Sequence, residues 1–101
     1  MVRVDWAQPA LEDLREVYEF ISRDSPRYAQ LTVERITDVA GRLARFPQLG
    51  QVLPEFPHLV YRQMTIGAYR LIYRDDSERD RIVVVGVIHS SRDLPPILEN
   101  R

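Results

Sequence analysis

The tightest constraint on this chain is a pair of apolar segments, Tyr69 to Arg74 and Arg81 to His89, flanking the wholly polar stretch Asp75 to Asp80. Both are rich in Tyr, Ile and Val and free of Pro, which is how adjacent strands joined by a turn read. A two-stranded hairpin is barely stable alone in water, so the remaining residues have to cover one of its faces. Closure by Asp75 and Asp80 predicts Leu71 opposite Val84, Tyr73 opposite Ile82 and Tyr69 opposite Gly86. That set should meet the cover. The other face then carries Arg70, Ile72 and Arg74 beside Arg81, Val83, Val85, Val87 and His89, apolar in its middle and cationic at its edges.

Two amphipathic segments upstream can supply the cover. From Ala10 to Arg23 the apolar positions Ala10, Leu11, Leu14, Val17, Tyr18 and Ile21 recur every three or four residues, opposite Glu12, Asp13, Arg15, Glu16 and Glu19. Pro9 suits the first turn of this helix. Ser25-Pro26 offers a capping hydroxyl and a pre-set first residue for a second helix, striped by Ala29, Val33, Ile36, Ala40 and Leu43. Pro47 should stop it at Phe46, and Gly41 inside it implies close packing against the first helix. Val2, Val4 and Trp6 alternate with Arg3 and Asp5 as a short half-buried strand. Pro47 to His58 reads as a stiff loop and Leu59 to Ile66 as a strand; Pro95, Pro96 and Leu98 lie in a short tail. The expected architecture is α+β, in the order β-α-α-β-β-β, with a helical hairpin packed on one face of a mainly antiparallel sheet. Residues 1–101 are expected to form one domain.

Charge and composition narrow the function classes. There is no Cys, so neither a thiolate metal site nor a thiol nucleophile is available, and His58 and His89 alone cannot hold a structural zinc. The net charge of −1 argues against bulk capture of nucleic acid or an anionic membrane. All 14 cations are Arg, each a permanent planar fork. No apolar run is long enough to cross a bilayer and no signal peptide precedes Pro9, so the expected location is cytoplasmic. Nucleophile elbows, phosphate-binding glycine loops, metal-spaced clusters and dinucleotide fingerprints are absent, and no cofactor is implied.

The local charge bias lies between Phe56 and Arg74, which holds Arg62, Arg70, Arg74 and His58 but no carboxylate. Guanidinium forks on a sheet suit phosphate oxygens or partner carboxylates. A solvated cation, or a partner for Asp75, Asp76 or Glu78, is the simpler account of any single Arg. Arg70 stands apart because its neighbours Tyr69, Leu71, Ile72 and Tyr73 press it against apolar surface. His89 can serve as a general acid or as a hydrogen-bonded strand end. Glu55, between Pro54 and Phe56, is a candidate base or a solvated loop charge.

Trp6 with Ala10, Asp13 and Leu14, Tyr18 to Ile21, Ser25-Pro26 with Ala29, Leu43 with Pro47 and Gly50, Tyr69-Arg70-Leu71-Ile72-Tyr73-Arg74, and His89-Ser90-Ser91-Arg92-Asp93 follow one another in a familiar order. On these residues the whole chain resembles the RelE/ParE superfamily, the toxins of type II toxin-antitoxin pairs. The resemblance implies one of two activities: binding and inhibition of DNA gyrase in the ParE branch, or cleavage of mRNA in the translating ribosome in the RelE branch. The second would give Glu55 the base role, Arg70 the phosphate and transition-state role, and His89 the acid role. The absence of Lys, and Ser90-Ser91 where some nucleases carry a tyrosine, depart from that branch. The stretch His89 to Arg92-Asp93 is more similar to ParE, which favours a non-enzymatic gyrase poison. An inactive solitary binding module is a third possibility. The family also implies a cognate antitoxin, and an apolar patch of Ile72, Val83, Val85 and Val87 rimmed by Arg would suit an acidic, amphipathic segment of it. The residues expected to contact the antitoxin or the target are Arg62, Arg70, Ile72, Arg74, Arg81, Val83, Val85 and Arg92.

Overall fold

A computed structural model describes residues 1–55 and 60–94. The elements are β1 (Arg3–Trp6), α1 (Gln8–Ser22), α2 (Pro26–Arg42), β2 (Gln51–Val52), β3 (Tyr61–Ile66), β4 (Tyr69–Asp76) and β5 (Arg81–His89), with a single 3₁₀ turn (Ser77–Arg79) before β5. They form one sheet in the order β1-β5-β4-β3-β2. β1 runs parallel to β5 and the other neighbours are antiparallel. This is the expected two-helix, mainly antiparallel architecture. The added feature is β2, two residues between Gly50 and Pro54 that pair with Arg62 and Gln63 inside the expected loop. His58, Leu59 and the Pro95-Pro96 tail lie outside the described residues. No described helix is long and apolar enough to cross a membrane.

The Ser25 hydroxyl accepts the Tyr28 N–H at 3.1 Å, and Pro26 occupies the first turn of α2. Regular helix ends at Arg42, four residues before the expected stop. From there the chain tightens: Leu43, Ala44 and Arg45 each bond three residues back. That frees the Ala44 carbonyl to accept the Val2 N–H at 2.9 Å and seats Leu43 wholly in the core. Gly41 does not pack against α1; a Cβ there would meet nothing within 4 Å. The close-packed glycine is Gly50, where a Cβ would lie 2.7 Å from the Gln63 carbonyl oxygen and 2.8 Å from the Tyr73 ring.

The central strands β4 and β5 are buried on both faces over their middle residues. On the helical side Ala10, Val17, Ile36, Ala40 and Leu43 meet Leu71, Tyr73, Ile82, Val84 and Val87, with Val4, Trp6 and Tyr69 at the margin. On the other side Ile72, Val83, Val85 and Ile88 pack with Leu53 and Leu94. The expected exposed apolar patch is therefore covered: Leu53 and Leu94 are fully buried against it.

The β4–β5 register differs from expectation in two steps. The 3₁₀ turn and Asp80, left-handed at φ 55°, close the hairpin one pair later, so Asp76 opposes Arg81 and Tyr73 opposes Val84. A two-residue slip keeps every side chain on its face. Then Ile72 opposes Gly86, leaving Val85 over as a β-bulge. Beyond it the alternation in β5 inverts. Val87, expected on the open face, joins the helical core; Ile88 takes the open side; and His89 lands opposite Tyr69 on the helical side.

Candidate functional site on the sheet face

Arg70 and Glu55 are brought together. The Arg70 Nη1 and Nη2 each donate to one oxygen of the Glu55 carboxylate at 3.1 Å, and Nε donates to the Gln63 Oε1 at 2.6 Å. All three guanidinium nitrogens are used. Thr65 opposes Arg70 in the register and Gln63 opposes Ile72, so Arg70 and Gln63 reach each other along the open face. The Arg70 side chain is 13% exposed and that of Glu55 is 32% exposed. The hydrogen bonds from Arg70 hold the Glu55 carboxyl below the ordinary carboxylate range. A carboxylate so held is a weaker proton acceptor than a free one.

His89 is not part of this constellation. Its ring stands edge-on to Tyr69, centroids 5.6 Å apart and planes at 82°, on the sheet face opposite Arg70. Its Nδ1 accepts the Ser91 N–H at 3.2 Å and lies 2.7 Å from the Ser91 Oγ. The accepted N–H places the proton of the neutral ring on Nε2. The expectation that Arg70 and His89 share a face is corrected, and the cause is the single extra residue at Val85.

The other expected contact residues divide into three groups. Ile72, Val83 and Val85 are buried beneath Leu53 and Leu94 and present no free surface. Arg62 and Arg81 serve the fold. Arg62 donates to the Gly50 carbonyl at 2.8 Å and lies 3.6 Å from Asp75, while Arg81 lies 3.3 Å from Asp5, which Arg3 also contacts. Arg74 and Arg92 remain at the surface. Arg74 lines a polar cleft of about 370 Å³ with Arg62, Asp75 and Glu78. Arg92 lines a more apolar one of about 430 Å³ with Val17, Phe20, Tyr69, Val87 and His89.

Three residues that matter here carry no chemical signature in the sequence. Leu53 plugs the open face. The Tyr73 hydroxyl donates to the Pro47 carbonyl at 2.8 Å and accepts the Gly50 N–H at 2.9 Å, tethering the loop that carries Leu53 and Glu55. Asp13, expected on the polar side of α1, is 9% exposed. The helical period does hold a signal for it, since Asp13 lies three residues after Ala10 and four before Val17, within the buried stripe.

The family model for the ParE toxin of the type II toxin-antitoxin system parDE matches residues 4–94. Among solved structures, the chromosomal ParDE system of P. aeruginosa superposes with a TM-score of 0.69 at 18% identity, over 88% of this chain and 96% of that one. The RelBE2 toxin-antitoxin complex of Mycobacterium tuberculosis gives 0.61 at 28% identity, over 87% and 96%. The intact E. coli RelBE complex gives 0.65 at 14% identity, over 91% and 100%. No curated protein sequence is significantly similar to the chain.

Proposed function

Because the chain belongs to the ParE toxin family of type II toxin-antitoxin systems, we propose that it arrests growth by binding DNA gyrase, with no chemistry of its own. A cognate antitoxin holds it inactive in the cytoplasm. The observation that carries this reading is the separation of His89 from the Glu55–Arg70 pair, three groups that an RNA-cutting relative would need together. Glu55 and Arg70 satisfy each other on one sheet face while His89 sits on the other. In-line cleavage of RNA requires base, charge neutraliser and acid around one phosphate. The meeting of Glu55 with Arg70 is what favours the alternative, a RelE-like ribosome-dependent endonuclease, because two of its three groups are adjacent.

The antitoxin reading draws support from neighbours solved as toxin-antitoxin complexes. With the open face plugged, exposed apolar side chains among the described residues include Phe20 and Tyr28 of the helical hairpin, at 64% and 62% exposure, and Phe46 and Val60 outside it, at 60% and 59%. The test is expression without the antitoxin, followed by gyrase supercoiling and ribosomal mRNA-cleavage assays on purified protein. Growth arrest with loss of supercoiling, unaffected by Arg70→Ala or His89→Gln, is the expected result. Cuts at codon boundaries that either substitution abolishes would transfer the protein to the ribonuclease branch, and normal growth at verified soluble expression would remove it from the toxins.

A further inference from the structure

The open face carries two complementary features: an apolar floor of Ile72, Val83, Val85 and Ile88, and the cationic fork of Arg70 beside it. Both are occupied from within the chain. Leu53 is fully buried on the floor beside Leu94, and Glu55, two residues on, fills the fork through two equal 3.1 Å bonds. Upstream, this segment is fixed by β2 pairing, the Leu53 N–H to the Tyr61 carbonyl, and the Tyr73 tether. We propose that Leu53-Pro54-Glu55 is an internal strap occupying a docking face, displaceable by a partner segment with the same pattern, an apolar anchor followed two residues later by a carboxylate. The charge pattern argues for that occupant. Residues 56–74 contain no carboxylate that could take the place of Glu55 on Arg70. An acidic segment gains the fork and an apolar one gains the floor. The inference concerns the strap alone and holds whichever target the toxin has.

A partly exposed ion pair contributes at most about 1 kcal/mol, a factor of about five in the open population. The experiment compares wild type with Glu55→Gln, and with Glu55→Asp as a second variant of shorter reach. Amide exchange at Leu53 should quicken about fivefold in Glu55→Gln while that of Val84 is unchanged. The probe is a capped pentapeptide copying Gln51 to Glu55, followed through the Arg70 Nε–H and Ile72 methyl resonances. It should bind Glu55→Gln about fivefold more tightly than wild type, with Glu55→Asp between them, and should lose its effect in Arg70→Gln. Leu53 and Val84 amides exchanging together in every protein would mean that no separate strap exists. Equal binding of the peptide to wild type and Glu55→Gln, or binding to neither, would remove the docking face.

Discussion

The Asp13 carboxylate of α1 accepts the backbone N–H of Val87 in β5 at 3.0 Å. β1 covers the outer edge of β5 only as far as Val84. Beyond that point a helix side chain takes the place of a neighbouring strand. Asp13 is thereby buried with its partner, and it anchors the strand just after the bulge, where alternation in β5 inverts.

Removing that acceptor strands a buried N–H. Asp13→Ala should lower stability by about 1–3 kcal/mol, read as a shift of the urea midpoint at unchanged slope. Asp13→Asn keeps an acceptor oxygen and should lose clearly less. Equal midpoints for Asp13→Ala and wild type would show that the bond contributes nothing.

Tyr73 has two partners at one oxygen, and both are backbone groups of the loop before β2. Tyr73→Phe leaves the Gly50 N–H and Pro47 carbonyl without it and should cost about 1–3 kcal/mol. Burial raises the Tyr73 hydroxyl above its usual value. With the folded value above the unfolded one, its contribution is complete below the unfolded value near pH 10 and declines as pH rises through the folded one. The stability gap between wild type and Tyr73→Phe should therefore narrow in strong alkali, measured as denaturant midpoints from pH 8 upward.

Glu55 behaves in the opposite sense. Hydrogen bonds from Arg70 lower its folded value, so its contribution is complete above the ordinary carboxylate value and falls away as pH drops through the folded value. Partial exposure limits the effect to under about 1 kcal/mol. Wild type should exceed Glu55→Gln slightly in stability at neutral pH and match it in strong acid. A gap that widened on acidification would contradict the ion pair.

Much of this fold was legible in the chain. Ser25-Pro26 marks a helix start because both the cap and the first-turn geometry are local properties. Leu71, Tyr73, Ile82 and Val84 fall on the helical side because a two-residue slip preserves parity. The bulge was not legible. From Ile82 to Ile88 both faces of β5 are apolar, so the period that reveals register is silent, and only Gly86 interrupts it. His89 consequently lies on the face opposite to the one that strict alternation implies. Glu55 and Arg70 were recognisable as residue types, but their pairing depends on Leu53 inserting its side chain from a loop, where no periodicity marks a buried position.

The two glycines separate the cost of backbone freedom from the cost of space. Gly41 lies within α2 with open surroundings at its missing Cβ, so Gly41→Ala should gain about 0.5–1 kcal/mol from reduced unfolded-state freedom and better helix propensity. Gly50 lies under the Gln63 carbonyl and the Tyr73 ring. One of these contacts is backbone, so neither neighbour yields freely, and the Tyr73 tether is distorted with them. Gly50→Ala should cost about 1–3 kcal/mol as overpacking, and it should cost less in a Tyr73→Phe background, where one clashing atom and the tether are already gone. Thermal midpoints of the two single variants and the double variant test this coupling, and strictly additive losses for Gly50→Ala and Tyr73→Phe would show that the glycine is not there to admit the tyrosine.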